Sequence, residues 1–333
     1  VNNRFLPKGA VTGIGSLPFT TAQRAVSFIE AHSPKIPFVP ELPKRSTAEE
    51  VVERALASVA DLVVRKSSGH FEIRSGQIDA FLNALNQRTA EITPAYSEGT
   101  YELENAFRLG RFKDAVAVKA QIVGLITLAA SISYLGKPLI DNNEAVDVLR
   151  NFLERLARWQ IGRLRQLGLP VLLFFDEPCL ILVQRSTNKA QLADPFQEMI
   201  LSLKEPETLV GIHTCALAVF EEAMALKPDI LSFDAYTELE DFAKSIEAKR
   251  FVQDGGLIAL GLIPTFDDLS GITAISQFSR LLMANEEIDF LRILARQSFV
   301  TATCGLGLVP AKAASPSFEL AHEISSYISK AAL

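Results

Sequence analysis

Short, nearly unbroken apolar runs alternate along this chain with longer amphipathic stretches. The runs cover residues 10–15, 37–42, 115–123, 171–175, 209–212, 230–233, 257–262 and 299–303. Apolar residues at consecutive positions, rather than at every second one, are what parallel strands covered on both faces require. Stretches with helical spacing lie between and after them, at 20–31, 46–64, 144–167, 216–226, 238–249, 272–285 and 317–330. Thr20 stands as an N-cap for the first. Asn142-Asn143 precede the third, which stops at Gly168 with Pro170 beyond. Eight strands with helices between them predict an α/β fold, a (β/α)8 TIM barrel. An open doubly wound sheet is the main rival, but no Gly-x-Gly-x-x-Gly follows the first strand.

The interval 66–113 is too long for a simple connection and holds mixed helix and turn signals, Ser67-Ser68-Gly69-His70 among them. It reads as an insertion after the second strand. No repeat, low-complexity tract or linker divides the chain, so residues 1–333 are expected to form a single domain. At 333 residues and 48% hydrophobic, the chain can bury a large core. A net charge of −6 leaves no basic footprint for nucleic acid or an anionic membrane. The amino terminus lacks the layout of a signal peptide, and the apolar stretch 120–136 falls short of a membrane span. Three cysteines, an odd number, argue against a disulfide scaffold and fit a reducing, cytoplasmic setting.

In a barrel, function gathers at the C-terminal ends of the strands. There the chain places Ile14-Gly15-Ser16 after the first run, Glu41 after the second and Asp176-Glu177-Pro178-Cys179 after the fourth. His213-Thr214-Cys215 follows the fifth, Asp234 the sixth and Cys304-Gly305 the eighth. His213 and Cys215, two residues apart, leave the backbone on one face. Imidazole nitrogen and thiolate sulfur are ligands that zinc prefers. Alone, the pair is more often a satisfied core histidine beside a buried cysteine than a metal site. Cys304, followed by the small Gly305-Leu306-Gly307 turn, brings a third ligand to the same rim and raises the metal reading. Asp234 is either a fourth ligand or a carboxylate that orients His213.

Together, Ile14-Gly15-Ser16, Asp176-Glu177-Pro, His213-x-Cys215 and Cys304-Gly-Leu resemble the catalytic C-terminal barrel of cobalamin-independent methionine synthases. That superfamily also holds uroporphyrinogen decarboxylases and coenzyme M methyltransferases. The resemblance spans residues 13–308 and implies that His213, Cys215 and Cys304 bind zinc. Asp234 stands where the family has a glutamate ligand, one methylene longer. The resemblance also implies that Ile14, Gly15 and Ser16 hold the backbone groups of homocysteine and that Asp176 binds its amine. The family's His-Gly-Glu segment near the second strand is absent, and Glu41 is its positional substitute. The implied activity is zinc-dependent methyl transfer to a small thiol, above all homocysteine to give methionine, with Asp176 and Asp234 as catalytic groups. A coordinated thiol is ionised by the metal and is then the nucleophile.

Two departures bear on the methyl donor. Full-length enzymes of the family carry a second, N-terminal barrel that helps bind methyltetrahydrofolate, whereas this chain holds one barrel. Their Asp-x-His-Ser-Pro segment after the seventh strand is here Ile263-Pro264-Thr265-Phe266-Asp267-Asp268, without histidine. A folate amine needs a proton to leave, and cob(I)alamin does not. The expected donor is therefore a methylcorrinoid, either free methylcobalamin or a corrinoid protein. Rival readings are a coenzyme M-type thiol methyltransferase, a uroporphyrinogen decarboxylase-like enzyme and a non-catalytic zinc- or corrinoid-binding accessory protein. Plainer roles are expected elsewhere: Cys179 as packing, Glu41 paired with Lys44 or Arg45, Trp159 as a helix contact, and His32, His70 and His322 as structural or solvated. Asp267-Asp268 reads as the cap of the following helix.

Overall fold

The computed structural model describes residues 5–186, 189–265, 269, 271–284 and 288–332. Its strands, in chain order, are β1 (Val63–Ser67), β2 (His70–Ile73), β3 (Val118–Val123), β4 (Ile132–Tyr134), β5 (Lys137–Pro138), β6 (Val171–Asp176), β7 (Thr208–His213), β8 (Ile230–Phe233), β9 (Leu257–Ile263) and β10 (Ser298–Ala302). Six of them form a parallel sheet in the order β10-β9-β8-β7-β6-β3. These are the third to eighth strands expected from the apolar runs.

The first two expected strands, 10–15 and 37–42, form no ladder. They are joined to the sheet and to each other by single parallel bridges, Val11 to Val300, Ser16 to Glu41 and Phe38 to Lys119. The result is a curled, barrel-like sheet of six regular strands rather than a complete eight-stranded ladder. The reason lies in the residues. Gly13 and Gly15 interrupt the first segment, and Pro37 and Pro40 lack the N–H that a ladder needs. Side chains supply part of what is missing: Thr12 Oγ1 donates to the Ile36 carbonyl at 3.0 Å, and Ser33 Oγ to the same oxygen at 2.8 Å.

Each strand of the sheet shows one face to the helices and one to the inside of the curl. Inside lies a small apolar cluster that includes Ala117, Leu172, Phe174, Ile230 and Phe299. Two residues further along the same strands the inward layer turns polar: Lys119, Asp176, Ser232 and Thr301, all buried. His213 ends β7 at the same level, paired in register with both Asp176 and Ser232. A hydrophobic floor thus carries a polar layer at the strands' C-terminal ends.

Helical expectations are met in kind and corrected in continuity. The long helix is Asn143–Arg165, with the Asn142 side chain accepting from the Ala145 amide at 3.2 Å. The stretch 46–64 breaks into turns at Thr47–Glu49 and Ala57–Leu62 around a short helix, Val51–Ala55. Here tertiary contacts override propensity. Glu49 reaches back to the Leu42 amide at 2.9 Å, and Arg54 reaches back to Glu41. The stretch 238–249 splits into Ala235–Lys244 and Ile246–Gln253 at Ser245, whose Oγ caps the second helix at the Ala248 amide. The excursion after the second segment is larger than 66–113. Its hairpin, β1 and β2, pairs with β4 and β5 in a second sheet of order β1-β2-β4-β5, which draws in residues up to Pro138. Asp267-Asp268 and Asn285 lie outside the described residues. Among the described residues no helix is long and apolar enough to cross a membrane.

Candidate metal centre and substrate pocket

His213, Cys215 and Cys304 come together although β7 and β10 are separated in the sheet by β8 and β9. Their ligand atoms all lie within 4.8 Å of one another. A tetrahedral zinc with Zn–S bonds of about 2.3 Å holds its sulfurs about 3.8 Å apart, a separation within that bound. His213 is buried, its Nδ1 is 2.9 Å from Ser232 Oγ, and its Nε2 has no conventional hydrogen-bond partner. A ring whose Nδ1–H donates to Ser232 presents the Nε2 lone pair to the two sulfurs. The donor set and the unpartnered nitrogen therefore fit zinc.

The two sulfurs share their proton unequally. A hydrogen bond from Cys215, with His213 adding to it against burial, brings the Cys304 thiol down to about 4. The same hydrogen bond to Cys304, together with burial, pushes the Cys215 thiol up. Without metal, one sulfur of the pair ionises at the expense of the other; a bound cation removes that competition.

Beside this group opens a cavity of about 390 Å³ whose wall includes Ile14, Ser16, Glu41, Asp176, His213, Cys215 and Cys304. Asp176 is buried, and its Oδ1 has no hydrogen-bond partner among the described residues. Burial first, then the charges of Glu41 and Cys304, push its carboxyl up to about 7, against the opposing pull of His213 and Lys119. Ser16 braces the loop that follows Cys304. Its Oγ accepts from the Gly307 amide at 3.1 Å, its carbonyl accepts from Leu306, and a Cβ on Gly305 would stand 2.0 Å from its Oγ. Only glycine lets the turn after Cys304 lie this close.

Two expectations about side chains are corrected. Asp234 is outside the group: its carboxylate takes the Thr237 amide at 2.9 Å and the Thr237 hydroxyl at 3.0 Å, capping Ala235–Lys244. The residue that holds His213 is Ser232. Glu41 pairs not with Lys44 or Arg45 but with the buried Arg54, thirteen positions on, whose Nη2 also reaches Ser97 Oγ. The adjacent acids of Asp176-Glu177 divide their work. Glu177 is fully buried and accepts from the Ile126 and Thr127 amides and the Thr127 hydroxyl at 2.6–2.9 Å, capping Leu125–Ser131. Cys179 is half-buried and outside the metal-ligand group.

Sequence reasoning passed over two buried side chains of β3. Lys119 Nζ donates to the Ile14 carbonyl and to Gln121 Oε1, and burial lowers it to about 8 against the charges of Asp176 and Glu41. Gln121 Nε2 donates to the Val39 carbonyl at 3.0 Å. Their signal was polarity at alternate positions of an otherwise apolar strand.

No protein-family model and no curated protein matches this chain. Among solved structures the chain is similar to a B12-independent methionine synthase from Shewanella sp. W3-18-1 in complex with selenomethionine, at 15% identity and a TM-score of 0.48. The match covers 70% of this chain and 66% of that one, just under two thirds of the neighbour's length. At that identity and score it is a likeness and carries no functional weight.

Proposed function

We propose that this protein is a zinc-dependent methyltransferase that methylates a small amino thiol, homocysteine best fitting the site, with a methylcorrinoid as donor. The observation that carries the reading is the convergence of a His213 ring nitrogen and two cysteine sulfurs beside a buried carboxylate oxygen without a hydrogen-bond partner among the described residues. His213, Cys215 and Cys304 would hold the metal. Zinc, when bound, supplies the positive charge that keeps a thiol ionised at neutral pH.

The chain's own residues do the rest. Asp176 offers Oδ1 to the substrate's ammonium, and a cation there draws its raised carboxyl to the ionised form. Ser232 holds the imidazole, and Ser16 with Gly305 holds the turn of Cys304. The cavity brings the thiol and the methyl carbon into line, which is the main requirement of the transfer. Sulfur gains the methyl, and the donor keeps the electron pair of the broken bond. A corrinoid leaving group needs no proton, in keeping with a segment 263–268 that has no histidine. Methyltetrahydrofolate is the rival donor, and both belong in the assay. Coenzyme M, which has a sulfonate and no amine, leaves Asp176 unused.

The test is metal analysis together with turnover of zinc-loaded protein on homocysteine and coenzyme M, using methylcobalamin and methyltetrahydrofolate in turn. About one zinc per chain, lost in Cys215→Ser and Cys304→Ser, and transfer from methylcobalamin to homocysteine are expected. Wild-type zinc content in those variants removes the ligand assignment. Turnover with methyltetrahydrofolate alone removes the corrinoid donor, and zinc binding without any transfer leaves the accessory reading.

A further inference from the structure

Lys119 sits on β3 with 2% exposure, in the same inward layer as Asp176 and Ser232. A buried ammonium is costly unless its hydrogens are used, and the thiol chemistry does not use them. They go to the carbonyl of Ile14 and to Gln121 Oε1 at 3.2 Å, while the nitrogen lies 4.7 Å from the centroid of the Phe174 ring. Gln121, fully buried, then donates to the Val39 carbonyl. Two neighbouring inward side chains of one strand thus each take a backbone carbonyl from one of the two segments that form no ladder. These are the segments that carry Ile14, Ser16 and Glu41 to the cavity wall. A Cβ on Gly15 would stand 2.3 Å from Gln121 Nε2, so the backbone of 14–16 lies directly against the pair.

We propose that Lys119 is a positioning residue for the substrate: anchoring the Ile14 carbonyl and bracing Gln121, it holds segment 14–16 and Glu41 at the spacing that the polar end of the thiol substrate requires. An ammonium suits the place because it serves two acceptors and still turns toward an aromatic face. A methionine there would leave the Ile14 carbonyl and Gln121 Oε1 unpaired in a buried layer. The kinetic part of this inference rests on the methyl-transfer reading, and the ordering part rests on geometry alone.

The experiment compares zinc-loaded wild type with Lys119→Met and Lys119→Gln, by amide hydrogen exchange and by steady-state kinetics. The reporting amides are Leu17, which donates to the Glu41 carbonyl at 2.9 Å, and Glu41, which donates to the Gly15 carbonyl at 3.1 Å. In Lys119→Met these two should exchange roughly ten-fold faster while amides of the β6–β7 ladder hold their rates and zinc content stays at wild type. KM for the thiol should rise roughly ten-fold with kcat within about two-fold, and Lys119→Gln, which keeps a donor for Ile14, should move less on both scales. Unchanged exchange at Leu17 and Glu41 overturns the proposal. So does faster exchange throughout the ladder, failure of both variants to fold, or local loosening with an unchanged KM. If wild type methylates no thiol, the functional reading falls by itself, and exchange at Leu17 and Glu41 still decides the ordering role.

Discussion

Ser232 and His213 face each other in register across β8 and β7, with Ser232 Oγ 2.9 Å from Nδ1 of the imidazole. That contact sets which ring nitrogen is left for a metal. Removing an outer hydrogen bond of this kind typically costs about 10–100-fold in metal affinity. Ser232→Ala should lose zinc to a competing chelator within that range, with near-normal stability, whereas Ser232→Thr should stay close to wild type. Equal affinity in all three would show that the hydroxyl does not orient the ligand.

Gly305 and Ser16 make a second pair that can be tested together. In Gly305→Ala the new methyl meets Ser16 Oγ, the turn after Cys304 shifts, and zinc content should drop well below one per chain. Ser16→Ala in the same chain removes the obstructing oxygen and should restore part of the zinc. The two changes should therefore be strongly non-additive, by about 1 kcal/mol or more in a double-mutant cycle.

Asp176 and Glu177 should separate function from stability. Asp176→Asn removes the charge but not the shape; it should keep the fold and zinc content and lose roughly a hundred-fold in kcat/KM for an amino thiol. Glu177→Ala leaves the Ile126 and Thr127 amides uncapped and should cost about 2–3 kcal/mol of stability. Denaturant titration and turnover on both variants would show whether the two effects fall on the residues in that order.

A pH experiment follows from Lys119. Its folded-state pKa, about 8, lies below the ordinary lysine value of 10.5, so between those values the unfolded chain binds more protons than the folded one. Stability from this group therefore rises with pH across that window, by up to about 3 kcal/mol. Comparing denaturant midpoints at pH 8 and pH 10, wild type should gain on Lys119→Met. Parallel changes in the two proteins would show that Lys119 is not charged and buried as the structure has it.

The six ladder strands were legible because their apolar runs have strand length, are rich in β-branched and aromatic residues and are bounded by turn residues, which favours a buried strand over a helix. His213, Cys215 and Cys304 were legible because strand ends in a curled sheet converge. What was missed shares one cause: side-chain contacts between residues far apart in sequence. Nothing local distinguishes Ser232 from any serine in an apolar run. Arg54 finds Glu41 only because the chain between them folds back, and the same return contacts break the helix expected over 46–64. Asp234 misled for a different reason. A carboxylate at a strand end is also an N-cap, and the Thr237 amide three residues on was the nearer partner. The two ladderless segments were overread because apolar content was weighed above Gly13, Gly15, Pro37 and Pro40.

Those ladderless segments divide the labour of the rim. The part that carries His213, Cys215 and Cys304 grows from β7 and β10, locked into the six-stranded hydrogen-bond network, where a change of register would dislodge several strands at once. The wall formed by Ile14, Ser16 and Glu41 hangs on two segments joined by single bridges and a few side chains. Substitutions at Ile14 or around Glu41 can reshape the cavity while leaving His213, Cys215 and Cys304 in place, whereas Ser16, bonded to the Leu306 and Gly307 amides, ties the first segment to the turn of Cys304.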